Sequence, residues 1–113
     1  MDPDEIEFSV DVGGGPDGSV VAPRGELDMA TQGELRTAIE QQAARGAVTL
    51  DLSGLRFLDT SGLRLVLETA EAARTEGFAF TVLPGIPAVQ RLFDVAGVTA
   101  LVPFATPEEG DSP

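Results

Sequence analysis

The segment from residue 48 to residue 64 constrains the fold of this 113-residue chain more than any other part of the sequence. Val48, Leu50 and Leu52 alternate with less apolar residues, which is typical of a strand that buries one face. After Asp59-Thr-Ser-Gly62, apolar residues recur at helical spacing, namely at Leu63, Val66, Leu67 and Ala70. The segment therefore predicts a strand that leads through a short connection into a helix.

The start of this predicted helix is a place where a phosphate group is well tolerated, because it offers free N–H groups and the positive end of the helix dipole. Asp59, Thr60 and Ser61 are residues that commonly cap helices. If Asp59 alone supplies the cap, Ser61 is free to point outward. Gly62 is a poor residue for a first helical turn unless another group approaches it closely. The local residues leave both the capping role and an exposed role open for Ser61.

Three motifs follow one another along the chain: Gly25-Glu-Leu-Asp28, Asp51-Leu-Ser-Gly-Leu55 and Phe57-Leu-Asp-Thr-Ser-Gly-Leu-Arg64. Together they resemble the pattern of STAS domains, and above all that of anti-sigma factor antagonists, also called anti-anti-sigma factors. The resemblance extends from about residue 8 to about residue 104. It implies that Ser61 is the residue that becomes phosphorylated, with Thr60 at most a minor site.

The resemblance also implies a mechanism and a set of partners. The unphosphorylated protein would bind an anti-sigma factor that is also a serine kinase, and the sigma factor would be released. Phosphorylation of Ser61 by that kinase would end the complex, and a PP2C-type phosphatase would restore the active form. The alternative within the family is a STAS scaffold or accessory subunit, either of a lipid-transport ABC complex or of a stressosome-like assembly, with a permanent partner on the same surface.

The composition argues against an enzyme independently of that resemblance. The chain has no His, Cys, Lys, Trp or Tyr, so the usual general base, thiol nucleophile and phosphate-binding lysine are absent. A zinc site made of carboxylates alone would be rare. We therefore predict no catalytic residues, no metal site and no cofactor. A small hydrolase based on paired carboxylates is the alternative from another functional class.

The formal net charge of −12 disfavours nucleic acid and anionic membranes as partners, because basic residues dominate binding to both. Steering towards a basic protein face would explain the charge, and simple solubility explains it equally well. No apolar run approaches the ~18–20 residues that span a bilayer, and the acidic N-terminal residues do not resemble a secretory signal. We expect a cytoplasmic protein.

Hydrophobic periodicity and turn residues predict an α/β fold, with a mixed β-sheet that begins with a hairpin and then alternates strands and helices packed on it. We expect one domain over residues 1–113, with its core at about 6–104 and tails at 1–5 and 105–113. The predicted strands are residues 6–12, 19–22, 47–52 and 78–83, with a short extended piece at 101–104. The second strand should end at Pro23 and Gly25. The predicted helices run from Asp28 or Thr31 to about residue 45, from 61 to 76, and from 87 to Gly97.

The predicted helix over residues 61–76 also indicates where a partner binds. At about 100° per residue, its buried face leaves Ser61, Arg64 and Glu68 on the opposite side. Leu65 falls on that side too, so we expect a large exposed apolar residue beside Ser61. Asp28 either caps the first helix or adds negative charge at the same sheet edge. The predicted partner-binding surface comprises Asp28, Asp59, Thr60, Ser61, Gly62, Arg64, Leu65 and Glu68.

Overall fold

A computed structural model describes residues 7–15 and 18–105 of the chain. The predictions for Ile6 and for the tails at 1–5 and 106–113 lie outside the described residues. The elements are β1 (Ser9–Gly15), β2 (Gly18–Leu27), α1 (Gln32–Ala43), β3 (Ala47–Asp51), β4 (Leu55–Leu58), α2 (Thr60–Glu76), β5 (Phe80–Leu83), α3 (Pro87–Ala96) and a 3₁₀ turn (Thr99–Leu101).

The sheet is mixed, as the sequence predicts. β1 and β2 form an antiparallel hairpin. β3 lies parallel to the first half of β2, and β5 lies parallel to β3. β4 pairs in parallel with the last part of β2. The helices between these strands make the crossovers, and the carboxyl ends of the parallel strands therefore meet at one edge of the sheet.

The second strand is longer than predicted, because Pro23 and Gly25 do not end it. Pro23 falls where β2 changes partners, after its pairing with β3 at Val21 and before its pairing with β4 at Gly25. The N–H that proline lacks is therefore not needed on that side of the strand. Gly25 has φ +100° at a shift of register, a backbone conformation suited to glycine. Both residues adapt the strand to two partners instead of terminating it.

Strand β4 was not predicted from the sequence. Its residues Leu55 and Leu58 are buried, while Arg56 and Phe57 between them are exposed. This pattern lacks the alternation that marks a half-buried strand, and the element is only four residues long. The short connection expected before α2 is therefore a strand that fixes the start of α2 against β2.

Helix α2 begins and ends close to its predicted positions, with Gly77 in the left-handed conformation at its C-terminus. The expected exposure of Leu65 is wrong, since the residue is 1% exposed. α1 lies along this flank of α2, and a 2.7 Å salt bridge joins Arg36 of α1 to Glu68 of α2. Both the sheet and α1 pack against α2. The buried part of the surface of α2 is therefore wider than the single face that its periodicity predicts.

The C-terminal part of the described chain closes one edge of the sheet. The Val82 N–H donates to the Pro103 carbonyl over 3.0 Å, and the Ala105 N–H donates to the Val82 carbonyl over 2.9 Å. Phe104 packs edge-on against Phe93 of α3, with ring centroids 5.2 Å apart. The predicted extended piece at 101–104 is thus confirmed only from Val102, since Leu101 belongs to the 3₁₀ turn.

Candidate functional site

The turn between β4 and α2 is held directly against the end of β2. The N–H of Asp59 donates to the carbonyl oxygen of Leu27, the last residue of β2, over 3.1 Å. Asp28 follows Leu27 at once, so the ends of β2 and β4 bring Asp28 and Asp59 to the same part of the sheet edge. The structure thus brings together two of the predicted site segments.

Asp59 is the N-cap of α2, in an extended conformation with φ −102° and ψ −173°. Its Oδ1 atom accepts hydrogen bonds from the N–H groups of Ser61, over 2.9 Å, and Gly62, over 3.1 Å. The same oxygen accepts a 2.6 Å hydrogen bond from the Ser61 hydroxyl. This carboxylate therefore satisfies N–H groups that a helix start otherwise leaves without partners.

These hydrogen bonds also set the charge of the turn. The Ser61 hydroxyl holds the pKa of Asp59 below its ordinary value against the opposing effect of burial, and the N–H groups of Gly62, Ser61 and Met29 lower this pKa further. Asp59 is therefore ionised at neutral pH. Its negative charge lies beside the hydroxyl oxygen of Ser61.

Ser61 is half-buried and lies within the first turn of α2, so the two roles left open by the sequence can now be separated. Asp59 caps the helix, and the Ser61 hydroxyl acts as a donor to that cap. The hydroxyl does not point freely outward, as the second interpretation required. It is a partly accessible group held in one orientation by a carboxylate, while Thr60 beside it is exposed.

Gly62 is buried, and the reason for a glycine here is close approach within the fold. A Cβ atom at this position would lie 2.8 Å from Cγ of Leu27 and 3.2 Å from its carbonyl oxygen. The expectation that another group approaches this residue is confirmed. The approaching group belongs to β2, so Gly62 positions the turn and presents no side chain to a partner.

Asp28 organises its own turn. Its Oδ1 atom accepts hydrogen bonds from the N–H groups of Ala30, over 3.0 Å, and Thr31, over 3.1 Å. The Thr31 hydroxyl accepts from the Asp28 N–H over 2.9 Å and donates to the carbonyl of Glu26 over 2.9 Å. Thr31 is the N-cap of α1, but its side chain makes no capping hydrogen bond. Asp28 thus closes the turn before α1, and it does so at the sheet edge that carries Asp59.

Met29 is a surface residue of this edge that the sequence analysis missed. Its side chain is 78% exposed, and its N–H is one of the donors that lower the pKa of Asp59. An apolar residue between Asp28 and Ala30, outside any hydrophobic periodicity, was the available signal. Exposed methionines suit adaptable protein contacts because their side chains are unbranched and flexible.

The remaining predicted partner residues lie along α2. Arg64 and Glu68 are exposed, at helical spacing from Ser61, whereas Leu65 lies in the wall of a cleft of about 340 Å³ between α1 and α2. The accessible surface around the turn therefore consists of the exposed residues Thr60, Arg64 and Glu68 and the half-buried Ser61, with Met29 across the sheet edge. It is a small polar surface with one exposed apolar side chain.

A comparison with protein families decides the classification of this fold. The family model described as "Mlab, STAS domain" matches residues 10–103. The chain belongs to the STAS domain family. This STAS domain is 30% identical over 88 residues to an anti-sigma F factor antagonist of Paenibacillus polymyxa, with 75% of each chain covered.

Solved structures of the same fold agree with this classification. This STAS domain resembles an anti-sigma factor antagonist from Mycobacterium paratuberculosis, with 28% identity, a TM-score of 0.73 and 94% and 92% of the two chains covered. It also resembles the Bacillus cell fate determinant SpoIIAA in its phosphorylated form, with 22% identity, a TM-score of 0.63 and 93% and 96% covered. The second likeness shows the fold alone.

Two other kinds of site are absent from the part of this STAS domain that the structure describes. Within residues 7–15 and 18–105, no group of three or more carboxylates is placed to hold a metal ion. Among the helices of the same residues, none has the length and apolar character needed to cross a membrane.

Proposed function

We propose that this STAS domain is an anti-sigma factor antagonist, a protein-binding regulator whose switch residue is Ser61. The observation that carries the proposal is the geometry of the α2 start. Asp59 performs the capping, so the Ser61 hydroxyl can be modified without removing the cap of the helix. The relatives named above, which are anti-sigma factor antagonists, support this assignment.

In the unphosphorylated form, the partner is an anti-sigma factor that is also a serine kinase. It docks on the surface around the β4–α2 turn and contacts Thr60, Ser61 and Arg64. While it is held there, the sigma factor is free. This STAS domain supplies binding surface, and ATP belongs to the kinase.

Phosphorylation changes this surface through charge and through one hydrogen bond. A phosphoserine carries about −1.5 to −2 charges at neutral pH. Its ester oxygen can no longer donate to Asp59, although Ser61 Oγ and Asp59 Oδ1 are only 2.6 Å apart in the unmodified protein. Two acceptors repel each other at that distance, so the phosphorylated side chain must rotate away from Asp59 towards the partner. The bulk and negative charge then end the complex.

The fold itself tolerates the modification. Asp59 retains its hydrogen bonds from the N–H groups of Ser61 and Gly62, and a negative charge near a helix N-terminus is neutral to mildly stabilising. A fold relative, SpoIIAA, exists in a phosphorylated form. A PP2C-type phosphatase restores the hydroxyl and with it the binding-competent surface.

Mass spectrometry with the cognate kinase and ATP tests the proposal. One phosphate, about 80 Da, should be added within the peptide that contains residues 59–64. Ser61→Ala should abolish the modification, whereas Thr60→Ala, the matched control, should retain most of it. Full modification of Ser61→Ala would overturn the assignment.

Calorimetric titration and thermal melting of one Ser61→Asp sample test the second step. We expect weaker binding to the anti-sigma factor with an unchanged or slightly raised melting temperature. Binding as tight as that of the unmodified protein would contradict an electrostatic switch. Loss of folding would contradict the tolerance argued from the Asp59 cap.

A permanent partner is the second candidate function, as for a STAS accessory subunit or scaffold. The matching family description names Mlab and no anti-sigma factor antagonist, which favours keeping this alternative. It requires a stable complex that survives both Ser61→Asp and incubation with ATP. A complex that dissociates on phosphorylation excludes it.

A further inference from the structure

A second surface is a cleft of about 260 Å³ between β4 and α3. We call it the β4–α3 cleft. Its floor contains the buried side chains of Leu58 and Val89. Its walls include Phe57, which is 48% exposed, and Val95, which is 78% exposed. The exposed parts of Phe57 and Val95 are apolar surface that is not buried in the core.

The charge of this cleft differs from that of the chain as a whole. Arg56 and Arg91 line the β4–α3 cleft together with apolar residues, and no acidic residue lines it. The cleft between α1 and α2 is lined instead by the carboxylates of Glu40, Glu68 and Glu76 together with Arg36. Apolar surface is therefore combined with positive charge at the β4–α3 cleft of a protein whose net charge is −12.

The two arginines are available to different degrees. Arg56 pairs with Glu26 over 2.9 Å across the β2–β4 ladder. Arg91 is exposed on α3 and forms no salt bridge within residues 7–15 and 18–105. Arginine next to exposed aromatic and aliphatic side chains is the combination enriched at the energetic centre of protein interfaces. Arg91 is thus the residue that can receive a carboxylate from outside the chain.

The size of the cleft indicates the kind of occupant. A stable interface between globular partners needs about 20–30 residues from each side. Only eight residues line the β4–α3 cleft, which is too few for a dimer of this chain built on the cleft alone. A short helical or extended segment needs no larger surface, because a few anchoring side chains carry most of its affinity.

We propose that the β4–α3 cleft is a docking surface for a short acidic segment of a partner protein. The segment places an apolar side chain between Phe57 and Val95 and a carboxylate on Arg91. The surface is separate from the Ser61 turn, since the residues that line it lie on β4 and α3. The proposal goes beyond the phosphorylation switch and does not depend on it. Because Phe57 precedes Asp59 by two residues, a partner could engage both surfaces and gain affinity from their linkage.

Selection from a displayed library of random peptides, each about twelve residues long, tests the proposal with the unmodified full chain. The enriched peptides should carry Asp or Glu next to Leu, Ile or Phe. Their affinities are then measured by fluorescence anisotropy against variants of the cleft. Val95→Asp and Arg91→Glu should each weaken binding by about tenfold or more.

Matched substitutions outside the cleft serve as controls. Val12→Asp changes a valine that is 48% exposed on β1, and Arg45→Glu reverses an exposed arginine after α1. Both should bind the selected peptides like the unmodified chain. Circular dichroism melting of all four variants identifies any that fails to fold, and Val95→Ser then replaces Val95→Asp.

Several outcomes would overturn the proposal. They are enrichment of basic peptides, failure to enrich any peptide, and equal weakening by the control substitutions. A dimer that sediments as such and dissociates with Val95→Asp would assign the cleft to a second copy of this chain. None of these outcomes changes the result expected from the phosphorylation assay on Ser61. Failure of the docking proposal can therefore be distinguished from failure of the proposed function.

Discussion

Replacement of Gly62 by alanine should destabilise the protein, although alanine is the better helix residue. An alanine Cβ there would lie 2.8 Å from Cγ and 2.9 Å from Cδ2 of Leu27. Non-bonded carbon atoms prefer separations of about 3.5–4.0 Å. Leu27 is 0% exposed, so it cannot move aside without displacing other core side chains.

The magnitude follows from two opposing effects. Overpacking of this kind costs about 1–3 kcal/mol, and a glycine-to-alanine change within a helix contributes at most about 1 kcal/mol. We therefore expect a net loss of about 1 kcal/mol in the free energy of unfolding. The midpoint of thermal unfolding should fall by about 4 °C or more.

Gly33 of α1 provides the matched control. It is exposed, and a Cβ atom there would meet nothing within 4 Å. Gly33→Ala should accordingly raise the free energy of unfolding, by up to about 1 kcal/mol. Urea titrations of the two variants and the unmodified protein measure these changes in the free energy of unfolding. A Gly62→Ala variant as stable as Gly33→Ala would refute the argument that β2 fixes the start of α2 by contact.

The remaining predictions concern the core of α2 and the carboxylates of Asp59 and Asp28. Leu65→Ala should lower the free energy of unfolding by about 2–5 kcal/mol, and Leu67→Ala, at a half-buried position, by less; urea titration measures both. Asp59→Ala should cost about 0.5–2 kcal/mol as a lost N-cap at neutral pH. Since folding lowers the pKa of Asp59 from 3.8, its charge contributes stability fully above that value, and the contribution is lost as the pH falls through the lowered pKa. Urea titrations from pH 7 to about pH 3 measure this effect. Between these pH values, the free energy of unfolding should decrease less for Asp59→Asn than for the unmodified protein. Asp28→Ala should cost about 1 kcal/mol and Asp28→Asn less, because asparagine keeps an oxygen acceptor for the turn before α1; thermal melting compares the two.

Local signals predicted the elements that end in strong stop signals. Gly77 and Gly97 terminate α2 and α3 in left-handed conformations, and Pro87 begins α3. The hairpin of β1 and β2 was predictable because turn residues separate two apolar runs. In each case the residue that determines the boundary or turn lies next to it in the sequence.

The features that could not be predicted depend on contacts between distant segments. Leu65 is buried because α1 packs along one flank of α2, and the periodicity of α2 contains no information about α1. β4 is a strand because the end of β2 is free to pair with it. Of the candidate site, capping by Asp59 could be predicted, whereas the sequence left both a capping role and an exposed role open for Ser61. The β4–α3 cleft required the assembled fold, because its residues come from two separate elements.

The division of β2 between two parallel partners has a consequence for how the chain folds. Among the described residues, the β1–β2 hairpin is the one strand pairing with no other element between its two strands. Pairing of β2 with β3 must close a loop that contains α1, and pairing with β4 must close a longer one. Loop closure of this kind slows folding, because its entropic cost comes before the new contacts compensate for it. We expect the hairpin to form first and the turn that carries Ser61 to become ordered late, because that turn needs the pairing of β4 with β2.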